Sequence, residues 1–193
     1  MVDLTPAAQR LADLVAGVSD GQLAGPTPCP AYTVGDLVEH VGGLARAFRA
    51  AAEKDIASPY VNGAPAGDAA RLEEGWRDRI PADLAALARA WADPDAWAGM
   101  TRIANQDAPG EAVGITVADE LVVHGWDVAR ATGQPYETEP EMLGAALAFL
   151  GMFASPDAPA GPDVAFGPSR EVPGDAPALD HVLAGRDVGW APG

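Results

Sequence analysis

The sequence predicts a mainly α-helical protein: a four-helix bundle, up-down-down-up, with a long decorated crossover and a small C-terminal appendage. Three observations predict it. Four stretches repeat apolar residues at helical spacing behind recognisable start signals. About sixty residues separate the second stretch from the third, far more than a turn needs. After Pro156 the pattern gives way to a Pro/Gly-rich tail.

The first helix is expected from Thr5-Pro6, a cap residue with proline at the first helical position, followed by Leu11, Leu14, Val15 and Val18. The second opens at Thr33-Val34-Gly35-Asp36, a capping-box variant with Asp in place of Glu, and runs to about Lys54. The crossover holds a Gly/Pro-rich loop (Ser58 to Gly67), helical patterns at 68–79 and 82–91, and a strand at 97–103. A third helix is expected from the similar Thr116-Val117-Ala118-Asp119 to the stop at Thr132-Gly133. The fourth begins around Pro140-Glu141 and carries Met142, Leu143, Leu147, Leu150 and Phe153. The tail holds a strand-like Val164-Ala165-Phe166 and a short helix at 176–183. The division expected is a bundle over 1–155 and an appendage over 156–193.

Composition narrows the function. The chain has 193 residues, enough for one domain with a small addition. Acidic residues outnumber basic ones 28 to 12, for a net charge of −16. A nucleic acid or an anionic membrane would be repelled, and there is no basic cluster to offset this. The single cysteine, Cys29, excludes an intramolecular disulfide, a Cys-based zinc ribbon and a CxxC pair. No apolar run is long enough to span a bilayer and the start lacks signal-peptide features, so a cytoplasmic protein is expected.

Three histidines exist, at 40, 124 and 181. His40 borders the apolar stripe of the second helix, with Leu44 about 40° and Leu37 about 60° around from it. His124 follows Glu120 by four residues and precedes Asp127 by three, which puts all three on one helical face. A carboxylate and an imidazole at that spacing can both reach one metal ion. Taken singly, His40 reads as a hydrogen-bonded core histidine and Glu120–His124 as a helical side-chain pair. Taken together, His40, Glu120 and His124 read as metal ligands. They lie at similar depths if the helices start at Thr33 and Thr116 and run parallel, which a long crossover permits. Asp127 then orients an imidazole or serves as a catalytic base. Glu39, one residue off the His40 face, reads as solvated. His181 reads as peripheral, and Tyr32, Trp91 and Trp126 as packing residues. Cys29 reads as a small loop hydrophobe.

The stretch Thr27-Pro28-Cys29-Pro30-Ala31-Tyr32-Thr33-Val34-Gly35-Asp36-Leu37-Val38-Glu39-His40-Val41 resembles the first signature of the DinB-like proteins of the mycothiol-dependent maleylpyruvate isomerase type. Glu120 to Gly133, with His124-Gly125-Trp126-Asp127, resembles the second. The tail, from Val172-Pro173-Gly174-Asp175-Ala176 through Gly185-Arg186-Asp187, is similar to the ending of an actinobacterial metal-binding subgroup. The resemblance implies a DinB-like bundle in which His40, Glu120 and His124 hold a divalent metal, usually zinc.

Two imidazoles and one carboxylate leave a coordination position open, as in a catalytic zinc site. The function expected is a mycothiol-dependent S-transferase or isomerase, in which a metal-bound thiolate attacks a small electrophile. Arg46 and Arg130 are the candidates for holding an anionic substrate or thiol cofactor. The partners expected are that electrophile, the thiol and a second copy of the chain. Other readings keep the metal: a hydrolase using bound water with Asp127 or Glu39 as base, or a non-haem iron site. A non-catalytic metal- or thiol-binding module uses the same ligands.

Overall fold

The computed structural model describes residues 1–62, 66–153 and 171–186. It is mainly helical: α1 (Thr5–Ala16), α2 (Val34–Ala52), α3 (Trp76–Trp91), a single turn α4 (Pro94–Trp97), strands β1 (Met100–Ile103) and β2 (Gln106–Pro109), α5 (Gly110–Thr132), α6 (Pro140–Phe153) and α7 (Ala178–Arg186).

α1 buries Ala7, Ala8, Leu11, Ala12, Leu14 and Val15, a stripe at helical spacing. Thr5 is not its cap. It is the first residue of the helix, and the Asp3 carboxylate two residues earlier accepts from its N–H at 2.9 Å. α2 starts where expected. Thr33 Oγ1 accepts from the Asp36 N–H at 3.2 Å, and Asp36 Oδ2 accepts from the Thr33 N–H at 2.8 Å. That reciprocal pair satisfies two otherwise orphaned donors.

The two helical patterns of the crossover resolve differently. Residues 69–71 form one 3-10 turn, and α3 runs unbroken through Pro81. The helix starts only at Trp76, so Pro81 falls in its second turn and does not divide it. Ile80, Leu84, Leu87 and Trp91 are buried on its inner face. The expected strand is β1, shorter than predicted, and it pairs antiparallel with β2. Ala104 and Asn105, both at positive φ, make the two-residue turn between them.

α5 begins six residues before Thr116. Thr116 is an interior residue whose hydroxyl donates to the Ala112 carbonyl at 3.0 Å, the back-bonding seen within helices. Glycines seat the true start. A Cβ at Gly110 would collide with the Ala96 and Trp97 backbone, and one at Gly114 would fall on the Trp97 ring. Trp97 in turn donates to the Trp91 carbonyl at 2.8 Å, and Trp91 donates to the Phe48 carbonyl at 3.0 Å.

These contacts set helix direction. The start of α5 lies beside the end of α2, where Thr101 also bonds the Ala51 carbonyl. The ring of His40, early in α2, meets that of His124, late in α5, with centroids 5.2 Å apart. α2 and α5 are therefore antiparallel, which overturns the parallel packing expected from Thr33 and Thr116. α3 runs alongside α2 in the same direction, with Gly42 against Ile80 and Phe48 against Trp91. Arg77 at the start of α3 donates to the Val18 carbonyl just past α1, so α1 and α3 oppose each other. Gln22 and Gln134 tie the ends of α1 and α5 together. The helix expected as crossover decoration, α3, thus packs on both α1 and α2, while α6 packs on α5 and α7 on α6.

α6 and α7 match the expected fourth helix and the helical part of the tail. The strand expected at 164–166 lies outside the described residues. No helix among the described residues is long and apolar enough to cross a membrane.

Candidate metal centre

α2 and α5 supply the site from opposite directions. His40 sits seven residues past the Thr33 cap. Glu120 and His124 sit ten and fourteen residues past Gly110, about 15 and 21 Å into α5. Similar depth is therefore not what unites them. Antiparallel packing brings the first half of α2 to the middle of α5.

One ligand atom from each of His40, Glu120 and His124 lies within 4.8 Å of the others, and all three side chains are half-buried. His124 is held on both sides. Its Nε2 lies 2.8 Å from Glu120 Oε2, and its Nδ1 lies 3.2 Å from Asp127 Oδ2. Asp127 is itself only 1% exposed. Burial disfavours the His124 imidazolium, but the bonds to Asp127 and Glu120, with their charges, outweigh it and raise the pKa to about 9. The cluster therefore favours positive charge at this point. Among the described residues it is the group with metal-ligand geometry.

The chemistry of the donor set fits a divalent cation. Two imidazoles and a carboxylate suit zinc and leave room for a further ligand. The Asp127–His124 contact is the carboxylate–imidazole pairing that fixes which ring nitrogen faces a metal. Beneath the site, Leu11, Val41, Phe48, Leu87 and Leu121 wall a narrow apolar crevice that reaches Glu120 and His124. That floor keeps water off one side of the cluster.

The other predicted residues lie elsewhere. Arg46 bonds the Gly42 carbonyl at 3.3 Å and covers the Tyr60 ring at 5.0 Å. Arg130 is exposed in the last turn of α5. Each is six residues past a histidine, about 240° around its helix and 9 Å along it, so neither joins the cluster. His181 is on α7, and Trp91 is a core residue. Cys29 lies half-buried in the loop before α2. Glu39 is not solvated: its side chain is 11% exposed and accepts from Arg71 at 2.9 Å and from the Asp68 N–H at 3.1 Å. Tyr32, expected only as a packing residue, packs at the site itself, its ring 5.6 Å from that of His40. Its place in the Cys29–Thr33 loop offered no periodic signal.

Fold and site together define a helical protein with a candidate two-histidine, one-carboxylate centre. The chain belongs to the family of the mycothiol maleylpyruvate isomerase N-terminal domain, whose description matches residues 4–129 and so includes all three cluster residues. It is also similar to two Mycobacterium tuberculosis proteins, "Uncharacterized protein MT0763" of strain CDC 1551 / Oshkosh and "Uncharacterized protein Rv0738" of strain ATCC 25618 / H37Rv. Each is 32% identical over 191 residues, covering 94% of both chains. No solved structure gives a significant match.

Proposed function

We propose that the protein binds a divalent metal ion, zinc, through His40, Glu120 and His124, and uses it in a mycothiol-dependent transfer or isomerisation of a small electrophile. The observation that carries this is the convergence of the three ligand atoms within 4.8 Å across two antiparallel helices. Membership of a mycothiol-related family supports the choice of thiol. The helices α1, α2, α3 and α5, with their observed directions, are read as the DinB-like up-down-down-up bundle. Residues 156–193 are read as its appendage.

A divalent cation here supplies the positive charge that lets a thiol lose its proton near neutral pH. The chain's own residues do the rest. Asp127 holds the His124 ring in one orientation, and its contact through Oδ2 makes it an orienting carboxylate. The apolar floor excludes water from the side facing the bundle interior. In the transfer the thiol sulfur forms a bond to carbon, the leaving group departs with its electron pair, and the thiol proton goes to solvent. The hydrolytic reading is disfavoured by a specific contact pattern. Of its two candidate bases, Glu39 is engaged by Arg71 and Asp127 by His124.

Zinc-loaded protein incubated with mycothiol and 1-chloro-2,4-dinitrobenzene should form the conjugate faster than His40→Ala protein. Elemental analysis should find about one metal per chain in the wild type and none in His124→Ala. Equal rates in wild type and His40→Ala overturn the transferase reading, and metal-free wild type overturns the site.

A further inference from the structure

The geometry points to residues 66–71 as a positioning strap that holds His40 in its ligating place, fastened through Tyr32, Asp36 and Glu39. This rests on the metal reading above and concerns how the site is kept in shape.

The strap lies directly on the first turns of α2, and two glycines make that approach possible. A Cβ on Gly67 would collide with the Asp36 carbonyl and sit 3.1 Å from the His40 Cβ. A Cβ on Gly35, from the α2 side, would come within 2.8 Å of the Ala69 Cβ. Neither backbone could lie this close with a side chain between them.

Polar contacts fasten the strap along its length. The Gly67 N–H donates to Tyr32 Oη at 2.9 Å. The Ala69 N–H donates to Asp36 Oδ1 at 2.7 Å. The Asp68 N–H and the Arg71 guanidinium both donate to Glu39, and Arg71 also reaches the Ala66 carbonyl. The residues that accept, 32, 36 and 39, surround His40 in space or on its own helix. Tyr32 additionally lays its ring against the imidazole.

His40 is the one ligand that α5 does not provide. Glu120 and His124 keep their spacing through the helix itself, whereas His40 must be aimed from another segment. Tyr32 lays its ring against the imidazole, His124 meets it edge-on, and the strap at Gly67 leaves no room beside the His40 Cβ, so both the stem and the ring of His40 have close neighbours. Groups that orient ligands in this way typically change metal affinity by about ten- to a hundredfold when removed.

The test uses full-length protein loaded with cobalt(II), read by its visible absorption and by competition with a chelator. Arg71→Ala and Tyr32→Ala should weaken cobalt affinity by about ten- to a hundredfold and alter the absorption bands. Tyr32→Phe, which keeps the ring against His40 but loses the hydroxyl that accepts from the Gly67 N–H, should recover only part of the loss. Melting of the metal-free Arg71→Ala and Tyr32→Phe proteins should differ little from wild type. Gly67→Ala should have the largest effect, but the other variants carry the test if it fails to fold. Unchanged affinity and spectrum in Arg71→Ala and Tyr32→Ala overturn the strap and leave the metal reading standing. A loss of affinity matched by a loss of metal-free stability also overturns it. Wild-type protein that takes up no cobalt or zinc overturns the metal reading, and the strap with it.

Discussion

Asp36 occupies three roles at one position. It receives the Thr33 N–H and hydroxyl through Oδ2 and the Ala69 N–H through Oδ1. The Thr33 side chain first, then the Ala69 and Thr33 backbone N–H groups, hold its carboxyl below the ordinary aspartate value. A group whose pKa falls on folding adds stability above its unfolded value of 3.8, and that stability is lost as pH drops through the folded value. Asp36→Asn should therefore show a shallower fall in melting temperature than wild type below about pH 4. Parallel acid-melting curves would contradict this. The Thr33–Asp36 pairing was legible in the sequence because a capping box needs only local spacing. So was the shared face of Glu120, His124 and Asp127. The burial of Glu39 was not, since it depends on Arg71, 32 residues away, and no helical period reports a partner at that distance.

At the scale of elements, glycine marks where helices touch and where they do not. Gly114 of α5 faces the Trp97 ring with no room for a methyl group, whereas Gly144 of α6 faces open space. Gly114→Ala should cost about 1–3 kcal/mol by overpacking. Gly144→Ala should stabilise by about 0.5–1 kcal/mol, because the exchange restricts the unfolded chain and improves helix propensity. Denaturant unfolding of the two variants beside wild type measures both signs. The same elements explain where pattern reading strayed. Thr116-x-x-Asp119 has a capping-box spacing, yet Thr116 lies inside α5 because Gly110 and Gly114 let the helix begin earlier against α4. Pro81 makes the α3 region look like two short helices, so a helix that packs on both α1 and α2 reads as a decoration of the connection.

For the whole molecule, the net charge of −16 sets a background against which every local contact works. Self-repulsion of that size opposes compactness, and salt relieves it by shortening the screening length from about 30 Å at 0.01 M to about 8 Å at 0.15 M. The metal-free protein should melt a few degrees higher at the higher ionic strength, and no rise would mean that its ion pairs, such as Arg10–Glu139, dominate the balance. Overall helicity was legible from apolar periodicity, which is a property of each segment alone. Helix direction was not, since it follows from the β1–β2 reversal and the Trp91–Trp97–Phe48 contacts, none of which leaves a periodic trace.

The antiparallel meeting of α2 and α5 carries one more consequence. His40 and His124 are 84 positions apart along the chain, yet their rings touch. An ion shared between them would tie off a very long loop, and the entropy so removed from the unfolded chain would grow only slowly with further length. Such an ion would act as a rivet for the fold. A cut through the backbone between the two histidines would then leave both pieces joined at that ion.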